Sequence, residues 1–273
     1  MLELFSYQFM QNAFIGSILV SILCGIIGSY IVVTRKVLIS GSISHASFGG
    51  IGIAFLLNMP PLLCASIFSV IVAVLIQWMS KHLKMREDSA IGMIWACGMA
   101  IGVIAIYLAP GYAKDLGSYL FGNILTLSSS DLFFSASIMI LLIIFFTLFY
   151  KTILYGAFDS EYMKTRGVST KIIDYLLMVL LALTIIASLR LIGIILIVAM
   201  LTIPQECASI FVKKLKFMIY YSIVISLIAS ILGLIISFYL NVPSGPIIIL
   251  LLILFYSILK GLFLLKIQIK KRT

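Results

Sequence analysis

DLFFSASIMILLIIFFTLFY, residues 131–150, holds one charge at its first position and none in the residues after it. At about 1.5 Å per residue a helix of this length covers about 30 Å, the thickness of a bilayer's hydrocarbon layer. Lipid offers no partner for a free N–H or C=O, so a segment crossing it must be helical. Similar runs recur at 8–34, 37–58, 60–80, 89–109, 171–189, 191–212, 217–240 and 246–265. We read nine spans, with eight as the alternative count. The expected fold is an all-α, polytopic integral membrane protein, one transmembrane domain over residues 1–273. The alternating ten-residue pattern of an outer-membrane barrel is absent. The chain is 63% hydrophobic and 10% charged, far from the roughly 25% charged residues of a soluble domain. Its first span lacks a basic start and a small-residue cleavage site, so we expect it to stay as an integral span.

The formal charge of +10 does not point to nucleic acid, because the positive-inside rule accounts for it. Placing Arg35/Lys36, Lys81/Lys84/Arg86, Lys151, Lys164/Arg166/Lys171, Lys213/Lys214/Lys216 and Lys260/Lys266/Lys270/Lys271/Arg272 on the cytoplasmic side leaves only Lys114 and Arg190 outside. The N-terminus is then outside and the C-terminus inside, as nine spans require. Cys24, Cys64, Cys97 and Cys207 fall within spans at no metal-site or disulfide spacing, and read as small buried hydrophobes.

Two ionisable residues lie deep in apolar sequence: His45 in SISHASFGG (42–50) and Glu206 in MLTIPQECA (200–208). Charge in hydrocarbon is costly, and such residues mark ion or proton paths more often than packing. Gly41, His45 and Gly49 fall at i, i+4 and i+8 on one helical face, which leaves room beside the imidazole. Pro204 removes a helical hydrogen bond, frees the carbonyl of Met200 and bends the helix ahead of Gln205 and Glu206. Counted inward from Lys36 and Lys213, both ionisable residues sit roughly 10–14 Å above the inner boundary, at similar depth. The competing reading is a buried histidine bonded to a serine, and a glutamate kept protonated or serine-paired for packing. Imidazole plus carboxylate suits Zn2+, Mn2+ or Fe2+ better than Mg2+ or Ca2+. We therefore take His45 and Glu206 as candidates for a metal path, with Ser44 and Cys207 as weaker ones. Nothing in the chain points to a permanently bound cofactor.

The hydrophilic stretches are short: 81–88, 110–119 and 158–171. No G-x-x-x-x-G-K-[ST] loop is present, so ATP-driven transport would draw on another chain. The mixed charge of 158–171, with Asp159, Glu161, Lys164, Arg166 and Gly167, suits a cytoplasmic loop that docks on a partner. Gly98 and Gly102 form a G-x-x-x-G pair, sufficiently explained by close helix packing. A membrane-embedded hydrolase is disfavoured: H-E-x-x-H and serine-nucleophile motifs are absent, and the second histidine, His82, lies in a cytoplasmic loop. A secondary carrier with repeated halves is disfavoured by the lack of visible repeat.

Five blocks together resemble the bacterial ABC-transporter permeases for zinc, manganese and iron: ISHASFGGIGIAF (43–55), EDSAIGMIWACGMAIGV (87–103), FDSEYMKTRGV (158–168), LIGIILIVAMLTIP (191–204) and VPSGPIIILL (242–251). The resemblance implies a permease homodimer in the bacterial cytoplasmic (inner) membrane that works by alternating access. It also implies two cytoplasmic ATPase subunits and an extracytoplasmic metal-binding protein. It gives Phe158, Asp159, Glu161 and Gly167 a role in coupling to the ATPase, and aligns His45 with a histidine lining the metal path. Members typically carry an aspartate one turn before that histidine, where this chain has Gly41. We expect Glu206 to supply the missing carboxylate. The alternative is a permease of the same general type for a larger ligand, such as a metal-siderophore or corrinoid.

Overall fold

The computed structural model describes residues 7–83, 85–110, 127–158 and 171–272, together with Gly122 and Met163. Its helices are α1 (Gln8–Val33), α2 (Val37–Leu57), α3 (Pro61–His82), α4 (Glu87–Leu108), α5 (Ser129–Phe158), α6 (Lys171–Ile192), α7 (Ile194–Met200), α8 (Ile203–Ser209), α9 (Leu215–Leu240) and α10 (Ser244–Arg272). There is no strand among the described residues. Eight of these helices are long and apolar enough to cross a membrane, while α7 and α8 are not. The segment read as one continuous seventh span, 191–212, is therefore interrupted twice. Gly193, at φ 82° and ψ 161°, separates α6 from α7. That is a conformation glycine adopts without steric cost. A turn at Leu201 and Thr202 then separates α7 from α8.

Two ion pairs fix opposite ends of the bundle. Arg190, near the end of α6, donates to both carboxylate oxygens of Asp131 at the start of α5, at 3.1 and 2.8 Å. Lys81, near the end of α3, pairs with Asp174 at the start of α6 at 2.9 Å. The start of α9 shares a groove with the far end of α5, around Tyr155 and Phe158. The chain therefore leaves α6 at the Arg190 end and enters α9 at the opposite end, so α7 and α8 in series make the return crossing. Among the described residues the eight long helices and the α7–α8 pair thus account for nine candidate crossings.

Asp131 does more than pair. The Ser128 hydroxyl donates to its carboxylate at 2.6 Å, the Ser128 N–H donates to it at 3.1 Å, and the Asp131 N–H donates back to the Ser128 hydroxyl at 3.3 Å. This reciprocal arrangement satisfies donors at the helix start that have no intrahelical partner. Asp131→Ala removes the cap and leaves Arg190 without this carboxylate, at a cost of about 2 kcal/mol. The purified protein is expected to melt roughly 4–8 °C lower, and an unchanged melting temperature would show that the pair contributes nothing.

The densest packing joins α2 to α4. A Cβ on Gly98 would lie 2.6 Å from the Cα of Ala46, and one on Gly102 would lie 2.7 Å from the Phe48 carbonyl oxygen. From the other side, a Cβ on Gly49 would come within 2.8 Å of the Gly98 carbonyl oxygen, and one on Gly52 within 2.5 Å of that of Gly102. Small residues at this spacing let two backbones touch, the means by which helices associate where lipid removes any hydrophobic drive between them. The Ser42 hydroxyl adds a tie across the same interface, donating to the Ile91 carbonyl at 2.9 Å. On the opposite flank α1 packs along α9, whose Ser222, Ser226, Ser230 and Gly233 are buried. Thus α1 and α2 form the interior, while α5 and α10 leave most of their surface uncovered.

Candidate metal-path residues

The interruption between α7 and α8 is built from local chemistry. Pro204 occupies the first turn of α8, where its missing N–H is least costly. The Met200 carbonyl accepts from the side-chain amide of Gln205 at 3.4 Å, and the same nitrogen donates to the Cys24 carbonyl of α1 at 2.8 Å. Gln205 is fully buried, and its side-chain oxygen has no hydrogen-bond partner among the described residues. The Thr202 hydroxyl donates back to the Val198 carbonyl at 2.7 Å. Gln205 is thus the brace of the break, pinning α8 to α1. The residue was visible in the sequence only as a neighbour of Glu206, because its main partner lies 181 positions away.

Glu206 follows on the open side of α8. It is exposed and borders a cleft of about 150 Å³ with Thr202, Ile203, Ile253 and Tyr256, the last two from α10. Its backbone N–H donates to the Thr202 carbonyl at 2.9 Å. It lies in apolar sequence close to the end of α8 at Ser209, and a carboxylate there is too costly to leave against hydrocarbon. Its surroundings must be polar, whether water or a second protein surface.

His45 sits on α2, half-buried, with its ring stacked on Trp95 of α4 at 4.3 Å between centroids and 11° between planes. Trp95 is itself partly open, at 38% exposure. One turn earlier, a Cβ on Gly41 would meet only Val198 at 3.6 Å and Trp95 at 3.9 Å. These are ordinary contacts, so Gly41 is not glycine for the sake of close packing, unlike Gly49, Gly50 and Gly52. The face carrying Gly41 and His45 therefore looks toward α7 and α4. Trp95 was absent from the sequence-derived candidates, although its position three residues before Gly98 puts it on the α2-facing side of α4.

The weaker candidates differ. Ser44 is fully buried and donates to the Ser40 carbonyl of its own helix at 2.7 Å. Cys207 is fully buried beside Glu206. His45 is not among the residues lining the Glu206 cleft. Among the described residues no group of three or more His, Cys, Asp and Glu side chains could hold a metal ion. Each candidate thus has its own aromatic neighbour within the single chain: Trp95 for His45, Tyr256 for Glu206. Phe158, the last residue of α5, is exposed. Asp159, Glu161 and Gly167 lie outside the described residues.

Comparison with known proteins agrees with this architecture. The chain is 35% identical over 248 residues to the manganese transport system membrane protein MntC of Halalkalibacterium halodurans, covering 91% of this chain and 85% of that one. It is 33% identical over 247 residues to the manganese import system permease protein ScaB of Streptococcus gordonii, covering 90% and 88%. The fold matches the solved structure of PsaBC from Streptococcus pneumoniae in complex with Fab, at a TM-score of 0.83 and 34% identity over 93% of this chain and 91% of that one. A model of the ABC 3 transport family matches residues 6–261. With this match running from the start of α1 into α10, the protein belongs to the ABC 3 transport family.

Proposed function

We propose that this chain is the membrane permease subunit of an ATP-driven importer for a divalent transition metal, manganese foremost. The observation that carries this reading is the likeness, over about nine-tenths of the chain, to permeases named for manganese transport and import. Imidazole and carboxylate donors fit Mn2+ and equally Zn2+ or Fe2+. ATP hydrolysis would lie on separate cytoplasmic ATPase subunits, with Phe158, Asp159, Glu161 and Gly167 of the 158–171 loop docking on them. An extracytoplasmic binding protein would deliver the ion. The basic residues support a membrane orientation with the Lys81/Lys213 end inside, hence the N-terminus outside and the C-terminus inside. In a bacterium such a permease would sit in the cytoplasmic membrane.

Glu206 supports a homodimer. Its exposure on an apolar protomer makes sense where a second copy faces it across a central path, with the two copies bringing paired carboxylates and imidazoles to the ion. Alternating access would then open that path to one side at a time. A site built from few protein donors binds weakly enough to release, as conduction requires. The metal is cargo here, and no resident cofactor is called for.

The test is metal accumulation in cells lacking their own importers that express this chain with its ATPase and binding protein. Manganese uptake is expected to depend on an ATPase competent to hydrolyse ATP. Equal uptake with an ATPase that cannot hydrolyse would end the importer reading. Uptake of a metal chelate with no uptake of free Mn2+, Zn2+ or Fe2+ would move the assignment to a larger cargo.

A further inference from the structure

On the lipid-facing side of α5, two grooves meet at Tyr150 and Lys216. The first, about 630 Å³, is bordered by Tyr150, Tyr155, Phe158, Lys213, Lys214 and Lys216. The second, about 460 Å³, runs along the helices between Ile26 of α1, Ile143, Phe146 and Thr147 of α5, and Ile219 of α9. One chamber is rimmed by three lysines, and the adjoining one is lined mainly by apolar side chains, with Thr147 within it and Tyr150 and Lys216 where the two meet.

Their depths follow from helix length. At about 1.5 Å per residue the 30 residues of α5 cover about 45 Å, some 15 Å more than the hydrocarbon layer. The Asp131–Arg190 pair holds the start of α5 at one boundary. Twenty residues on, the hydrocarbon therefore ends near Tyr150, a residue type favoured at that interface. The lysine chamber lies at headgroup level, and the apolar chamber beneath it lies at acyl-chain level. The three lysines are exposed, and neither ion pair among the described residues involves them. Among the described residues no carboxylate answers their charge.

We propose that this double groove binds one anionic phospholipid of the inner leaflet, its phosphate held by Lys213, Lys214 and Lys216 and an acyl chain laid between Ile143, Phe146 and Ile219. A soluble acidic partner would answer the lysines but would not reach the apolar chamber at bilayer depth. The continuity of the two chambers selects the lipid. The inference rests on the membrane topology and not on the metal cargo, so it stands or falls separately from the transport reading.

The experiment is native mass spectrometry of the full chain, alone and with its ATPase subunits, after exposure to equal amounts of dioleoyl phosphatidylglycerol and dioleoyl phosphatidylcholine. Each lysine at the surface favours an anionic lipid by roughly fivefold, so three acting together set a ceiling of roughly a hundredfold, and wild type should retain phosphatidylglycerol over phosphatidylcholine by at least about tenfold. Combining Lys213→Gln, Lys214→Gln and Lys216→Gln should bring the ratio close to parity, while Lys260→Gln with Lys266→Gln should leave it intact. Thr147→Trp, filling the apolar chamber, should lower lipid retention without touching a charge. Parity in wild type would overturn the proposal, as would a preference that survives loss of the three lysines. Displacement by glycerol phosphate would reduce the site to a plain anion site, and loss of the lipid on adding the ATPase would make it a protein-docking surface; either result also overturns the proposal.

Discussion

Glu206→Gln and His45→Ala are each expected to lower manganese accumulation by at least about tenfold at unchanged membrane abundance. Loss of even an indirect partner of a bound metal costs roughly 10–100-fold in affinity, and a direct ligand should cost no less. Glutamine keeps the volume of Glu206 and its place in the cleft with Thr202 and Tyr256, but removes the negative charge that offsets desolvation of a divalent ion. Alanine at 45 removes the imidazole stacked on Trp95. If both residues serve one ion, the double variant should be little worse than either single one, the non-additivity of groups sharing a ligand. The open space at Gly41 supplies a sharper arm. A Cβ there meets nothing closer than 3.6 Å, so Gly41→Asp should fold, place a carboxylate one turn before His45, and restore uptake to the Glu206→Gln protein. Normal uptake in both single variants would make His45 and Glu206 packing residues. Failure of Gly41→Asp to rescue, with the singles impaired, would mean that Glu206 does not stand in for the missing aspartate.

The second large effect concerns folding. Gly98→Leu or Gly102→Leu should lower the melting temperature of the purified protein by roughly 10 °C and reduce its membrane level, since overpacking of about 3 kcal/mol per site shifts a chain of this size by that much. The obstruction is backbone: the Cα of Ala46 and the carbonyl oxygen of Phe48. Neither moves without separating α2 from α4, and α2 carries His45. Gly92→Leu is the matched control, because nothing lies within 4 Å of a Cβ at that position. Equal stability of the Gly92 and Gly98 variants would show that the α2–α4 contact is looser than these distances require.

The existence of the membrane spans was legible in the amino-acid order. An uncharged run as long as 132–150 has one stable form in lipid, and each of the eight long helices overlaps an apolar run visible in the sequence. The close approach at Gly98 and Gly102 was legible too, because a four-residue repeat of glycine leaves few other uses for that helix face. The seventh pass was legible only in part. Its apolar length could be read, whereas the turn at Gly193 and the break at Leu201–Thr202, just ahead of Pro204, could not. The break is held by Gln205 reaching across to Cys24, and hydropathy along the chain carries no record of a partner 181 positions away.

His45 and Glu206 were found because each is an ionisable group in an apolar run, a property of local sequence. What surrounds them was decided elsewhere: Trp95 comes to His45 from α4, and Ile253 and Tyr256 come to Glu206 from α10. Likewise the distribution of positive charge set Arg190 apart from most of the basic residues, but it gave no sign of its carboxylate partner Asp131, 59 residues earlier. The sequence alone determined which segments enter the membrane and which ionisable residues enter with them, because the transfer of each segment from water depends on its own composition. Tertiary structure alone decided which faces meet, where a helix breaks and which carboxylate is left open to a cleft, because those outcomes depend on contacts between segments far apart in the chain.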